Sequence, residues 1–156
     1  MPAPITRNDP LEHGDLASLI CIDDAALQAA VIDQVGQLGF GVHTGLFAEE
    51  VSVRLRSRSY DLIIVSENFG GGDAESNPVL HELTNIPMSQ RRDAFIVLVG
   101  PSMVTRSEMQ AFMHSVDLVV KREDVPNLKT IAGRGIVRQE EFYAAFNAVL
   151  KTVRSS

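Results

Sequence analysis

Four short apolar runs, Leu19–Ile22, Leu62–Val65, Phe95–Val99 and Leu118–Val120, carry no polar residue at alternate positions. A strand with one wet face alternates apolar and polar side chains; one that does not alternate must be covered on both faces. The stretches between the runs have helical spacing. Asp23-Asp24 supply helix-capping carboxylates, Leu27, Val31, Val35 and Leu38 repeat on one stripe, and Gly39 stops it. Phe40–Thr44 is a shorter strand candidate. Residues 47–58 fit both periods, but Glu49-Glu50 at one end and Arg56 and Arg58 at the other complement a helix dipole. Asn77-Pro78 opens a helix through Leu80 and Leu83. Thr105 and Glu108 form a capping box ahead of a helix whose apolar face is Met109, Phe112 and Met113. After Lys121 two helical pieces are expected: one around Pro126–Ile131, broken by Gly133-Arg134-Gly135, and one carrying Phe142, Phe146, Val149 and Val153 on one stripe. Strands alternating with helices, joined by right-handed crossovers, give an α/β doubly wound parallel sheet with an extra C-terminal helical segment.

The 156 residues suit one domain, assigned to residues 17–154. Residues 1–16, rich in Pro and charge, read as a flexible arm or linker. Net charge is −6, which argues against a broad nucleic-acid footprint. No segment approaches the roughly 20 apolar residues of a membrane helix, and the N-terminus lacks the apolar stretch of a signal peptide. The lone cysteine, Cys21, forms no internal disulfide, so a reducing, cytoplasmic setting is expected. Its place in an apolar run makes it a buried small hydrophobe rather than a nucleophile.

In doubly wound sheets ligands bind beyond the carboxyl ends of the strands. The residues there are Asp23 and Asp24, Ser66 and Glu67, Val99 and Gly100, and Lys121. The segments LICIDD, YDLIIVSENF, FIVLVGPS and VDLVVK resemble the corresponding parts of bacterial response-regulator receiver domains, over about Ser18 to Lys121. The resemblance implies a flavodoxin-like, five-stranded sheet of order 2-1-3-4-5. It further implies an acidic pair that helps bind Mg²⁺, an Asp after the third strand that accepts a phosphoryl group from a histidine kinase, a Ser or Thr after the fourth strand, and a Lys after the fifth. Metal and cation would neutralise charge on the transferring oxygens.

On these positions Asp23 and Asp24 match the acidic pair and Lys121 matches the lysine. Ser66 stands at the acceptor position, Val99 at the Ser/Thr switch, Leu118 at the aromatic switch, and Arg122 where a Pro usually follows the lysine. Ser66 matters most. A serine hydroxyl is neutral, a weak nucleophile without a base, and a poor Mg²⁺ ligand. Val99 cannot donate a hydrogen bond to a phosphoryl oxygen. Glu67 is the obvious substitute acceptor, although adjacent side chains at a strand end point to opposite sides.

Asp23 and Asp24 have two readings. They form a weak Mg²⁺ site with the Asn68 carbonyl as third ligand by analogy, or they cap a helix and pair with Lys121, which would relieve the repulsion of two close carboxylates. Gly70-Gly71-Gly72 lacks P-loop spacing and reads as a flexible loop. His13, His43, His81 and His114 show no metal spacing. Arg54, Arg56 and Arg58, with Arg91 and Arg92, read as a solvated face. Met103, Met109, Phe112 and Met113 read mostly as core, with an adaptable contact surface as the second reading.

The leading function is a non-enzymatic, phosphorylation-independent signalling module. It would bind a protein partner, or itself, through the enlarged C-terminal helical face. Two alternatives remain: a working receiver whose acceptor is Glu67 or Ser66, and a flavodoxin-like domain binding a nucleotide or flavin through Ser66–Asp73, with Phe69 for stacking.

Overall fold

The computed structural model describes residues 16–87 and 93–155. Five strands, β1 (Ala17–Cys21), β2 (Gly41–Thr44), β3 (Leu62–Ser66), β4 (Phe95–Gly100) and β5 (Leu118–Lys121), pair in parallel in the order β2-β1-β3-β4-β5. The expected arm up to residue 15, His13, Arg91 and Arg92 lie outside the described residues.

The missing alternation in the apolar runs has a direct cause. Ile20, Leu62, Ile64, Val97 and Val99 join the core under α1 (Ala25–Gln37) and α5 (Leu128–Ser155). Their strand neighbours Leu19, Ile63, Val65, Ile96 and Leu98 join a second core on the opposite face. That core lies under α2 (Ala48–Ser57), α3 (Pro78–Thr84) and α4 (Glu108–His114). Each residue of β1, β3 and β4 is therefore buried whichever way it points. Cys21 belongs to the second core, and burial pushes its thiol well above the ordinary range, which keeps it an inert apolar filler.

Local signals place most helix ends. Asp24 accepts from the Leu27 amide at 3.1 Å at the start of α1, and Gly39, at φ +92°, takes the left-handed turn after it. Residues 47–58 settle as a helix, with Val51 buried and Val53 60% exposed. Asn77 caps α3 through the amides of Val79 and Leu80.

Three expectations need correction. Thr105 is not the cap of α4. Ser107 takes that role by accepting from the Gln110 amide, while the Thr105 hydroxyl accepts from the Lys121 amide and donates to Asp124. Only Met103 of the methionine group is core; Met109, Phe112 and Met113 are 69%, 84% and 65% exposed. They lie on the outer side of a seven-residue helix that turns only Ala111 towards the sheet-facing core.

The third correction concerns the tail. Gly133 and Gly135 do not break it: a 3-10 segment, Arg122–Asn127, leads into α5, which runs unbroken for 28 residues. The glycines serve close packing instead. A Cβ at Gly135 would lie 2.7 Å from the Phe95 ring, and one at Gly133 would lie 3.4 Å from Leu38. Gly135→Val should therefore cost about 1–3 kcal/mol through overpacking. Gly133→Ala should stabilise by up to about 1 kcal/mol through helix propensity, its methyl making an ordinary contact. Urea midpoints of the two variants should move in opposite directions.

Candidate functional site

The carboxyl ends of β1, β3, β4 and β5 bring together most of the residues singled out from the sequence. Ser66 sits opposite Val99 in the β3–β4 register, and Gly100 opposite Lys121 in the β4–β5 register. The α1 and α5 side of this edge carries Ser66 and Val99. Val99 is fully buried in the apolar core there. Ser66 is 5% exposed, and its hydroxyl has no hydrogen-bond partner. No side chain is hydrogen-bonded to it to act as an activating base.

Each neighbouring acidic group is already engaged. Asp23 accepts from the Gly70 amide at 3.0 Å. Asp24 caps α1 with one oxygen and takes the Arg122 guanidinium at 2.8 Å with the other. The pairing expected with Lys121 is thus made by the next residue, at the position where a Pro usually stands. Lys121 itself has an exposed side chain, and its amide is held by Thr105. The Asn68 carbonyl accepts from the Gly71 amide at 2.9 Å within a 3-10 turn, Phe69–Gly71. A divalent cation would compete with the Arg122 guanidinium for Asp24 and would find a hydroxyl rather than a third carboxylate at Ser66, a poor donor set for Mg²⁺. Among the described residues no group of three or more His, Cys, Asp or Glu is placed to hold a metal.

The amide of Leu27, and after it the Arg122 guanidinium, holds the Asp24 carboxyl below its ordinary value of 3.8. A depressed folded-state pKa stabilises the fold above the unfolded value, and that contribution is lost as pH falls through the folded one. Asp73, held down by the amide and hydroxyl of Ser76, acts in the same direction. Stability should therefore decline below about pH 4, and Asp24→Asn should flatten that decline in urea titrations at stepped pH.

Glu67 points away from this pocket. Its side chain is 4% exposed, with Oε1 accepting from the Ser102 amide at 2.6 Å. It fills the space over Gly100, where a Cβ would fall 2.1 Å from that oxygen. The carboxylate therefore ties β3 to the loop after β4.

The Gly-rich loop is folded, not open. Besides the amides of Gly70 and Gly71, that of Asp73 is satisfied, by the Ser76 hydroxyl, and Phe69 is 1% exposed. Spent amides and a buried ring leave this segment poorly suited to cradle a phosphate or stack a flavin. His43 is a core-edge residue bonded to the Tyr60 hydroxyl at 2.9 Å, and His81 contacts the Glu75 carbonyl.

Two contributors escaped the sequence reading. Arg122 was visible only as a departure from Pro. Asn77 was legible as a cap, but its fully buried side chain also donates to the carbonyls of Ser66 and Glu67, at 2.8 and 3.3 Å. One amide therefore fixes both the start of α3 and the end of β3.

No family model matches the sequence, and no curated protein matches it significantly. Solved structures do match. NtrX of Brucella abortus aligns at TM-score 0.66 and 14% identity over 86% of this chain. The chain spans only 29% of NtrX. A response regulator of Burkholderia pseudomallei, solved with a phosphorylated aspartic acid, a calcium ion and citrate, aligns at TM-score 0.61 and 15% identity, covering 84% of this chain and 72% of that one. The signal receiver domain of an HD domain-containing protein from Pseudomonas fluorescens aligns at 0.62 and 13%, covering 88% and 98%. Sheet order, strand-end geometry and these neighbours agree: the chain has the fold of a response-regulator receiver domain.

Proposed function

We propose that the chain is a phosphorylation-independent signalling module, a non-enzyme that works through contact with protein. The observation carrying this reading is the pocket at Ser66. A buried hydroxyl without a base stands at the acceptor position, and the adjacent Asp24 is neutralised by the chain's own Arg122. An arginine keeps its charge at physiological pH, so a cation of the chain itself is already paired with Asp24. Val99 removes the hydroxyl that would read a phosphoryl group, so the strand end lacks both the reaction and its detector.

The same features disfavour the two substitute acceptors. The Ser66 hydroxyl has no activating partner, and Glu67 is turned into the β4 loop. The exposed apolar residues of α4 and α5 supply a surface for protein contact at the other end of the strands, around a groove of about 540 Å³. No described helix is long and apolar enough to cross a membrane, and the proposed setting is cytoplasmic.

Amide NMR spectra recorded with and without beryllofluoride and Mg²⁺ test this reading. The expected spectra superimpose. Shifts of amides around Ser66, Gly100 and Lys121 would show a pocket that still accepts a phosphoryl mimic.

A further inference from the structure

Helix α5 is far longer than the sheet needs. Its 28 residues span about 42 Å, whereas the longest strand, of six residues, spans about 20 Å. Two seven-residue series run along it. One is Leu128, Gly135, Phe142 and Val149; the other is Ala132, Gln139, Phe146 and Val153. Seven residues turn an ideal helix by nearly two full turns, so each series stays on one side.

At the start of α5 this side faces the chain's own sheet. Leu128 and Ala132 are fully buried, and Gly135 abuts Phe95. Further along, the same side emerges into solvent: Phe142, Phe146, Val149 and Val153 are 63%, 43%, 61% and 64% exposed. An apolar seam with 4-3-4 spacing is what one helix presents to another.

We propose that the partner on this seam is a second copy of the chain, packed antiparallel across a two-fold axis near residues 147–148. This rests on the constitutive-contact reading above and names its partner. Two observations select this direction, and a third fits this occupant. First, the body of each copy lies on the seam side of its own helix. A parallel partner helix would occupy the volume already filled by the sheet, whereas an antiparallel one passes beneath it. Second, the antiparallel register sets Phe142 against Val153 of the second copy and Phe146 against Val149, large against small in every layer, as close packing favours. A parallel register stacks Phe on Phe and Val on Val. Third, the positions flanking the seam, Tyr143, Ala145, Leu150 and Thr152, are uncharged, so two chains of net charge −6 meet there without like-charge opposition.

The tip of the second helix ends beside the groove that Phe142 shares with Phe112 of α4. The four seam side chains and Phe112 expose on the order of 500 Å² per copy, taking about 150–250 Å² for a whole aromatic side chain and less for Val. Two copies together then bury roughly 1,000 Å², the size at which a specific interface begins. A C2 contact of this kind is isologous and closes at two copies.

Sedimentation equilibrium of the full chain should give twice the 17.0 kDa chain mass. Phe146→Glu and Val149→Glu should each halve that mass, while Val137→Glu, an exposed α5 position off the seam, should leave it doubled. A mixture of Phe142→Cys and Val153→Cys chains should form the mixed disulfide faster than either forms its own; Cys21 is buried and does not compete. A one-chain mass at millimolar concentration, or preferential Phe142→Cys self-pairing, would overturn the antiparallel dimer. A chain that stays monomeric with or without beryllofluoride sinks this proposal alone. Dimerisation only on adding beryllofluoride and Mg²⁺ sinks the silent-pocket reading as well.

Discussion

Asn77→Ala should lower stability by about 3 kcal/mol, the largest loss expected from a polar substitution at the strand ends. Two costs combine. Loss of the cap on α3, which leaves the amides of Val79 and Leu80 without their acceptor, costs about 1 kcal/mol. The carbonyls of Ser66 and Glu67 also lose their side-chain donor in a buried setting. Buried groups left without partners cost about 1–3 kcal/mol each, less where water enters the space vacated. For a chain of this size the melting temperature should fall by roughly 6–12 °C. Asn77→Asp separates the roles. Aspartate still caps the helix but presents an anion to two carbonyl oxygens, so it should recover only the capping part. Calorimetry on the two variants checks the partition.

Ser66→Asp has the second largest expected effect, and its size depends on pH. The substitution buries a carboxylate at a 5% exposed position near Asp23 and Asp24. Burial and like charge both raise its pKa, so the variant should lose about 2–3 kcal/mol at neutral pH and regain part of that loss in mild acid. Mg²⁺ should have little effect while Arg122 holds Asp24. Adding Arg122→Pro should release that carboxylate, and the double variant should then be stabilised by millimolar Mg²⁺ in thermal melts. Wild type should show no such response. A wild-type melt that rises with Mg²⁺ as steeply as the double variant would contradict the role assigned to Arg122.

The sequence disclosed the sheet more fully than the surfaces around it. Residues with both neighbours buried, such as Ile20 beside Leu19 or Ile64 beside Ile63, write their environment into the chain because any polar substitute would be unsatisfied. Asp24, Asn77 and Gly39 were readable because caps and left-handed turns use few residue types.

Gly133 and Gly135 misled because glycine both stops helices and permits close contact, and only the nearness of Phe95 and Leu38 distinguishes the two. Thr105 misled because Ser107 offers the same cap two residues later, and the competing partners of Thr105 lie across the fold at Lys121 and Asp124. Met109, Phe112 and Met113 read as core because period alone shows a stripe without showing what it faces.

Within the site, the positions of Asp23, Asp24, Ser66, Val99 and Lys121 at one edge followed from strand order. The Arg122–Asp24 pair joins residues 98 apart in sequence and had no local signal. The turning away of Glu67 depended on the space above Gly100, which is likewise a tertiary feature.

Intact-mass spectrometry after incubation with acetyl phosphate and Mg²⁺ bears most directly on the silent pocket. The expected result is an unchanged mass for wild type and for Ser66→Ala alike, since a buried hydroxyl without a base has nothing to drive its attack. A stoichiometric gain of one phosphoryl group on wild type, lost in Ser66→Ala or Glu67→Gln, would contradict it.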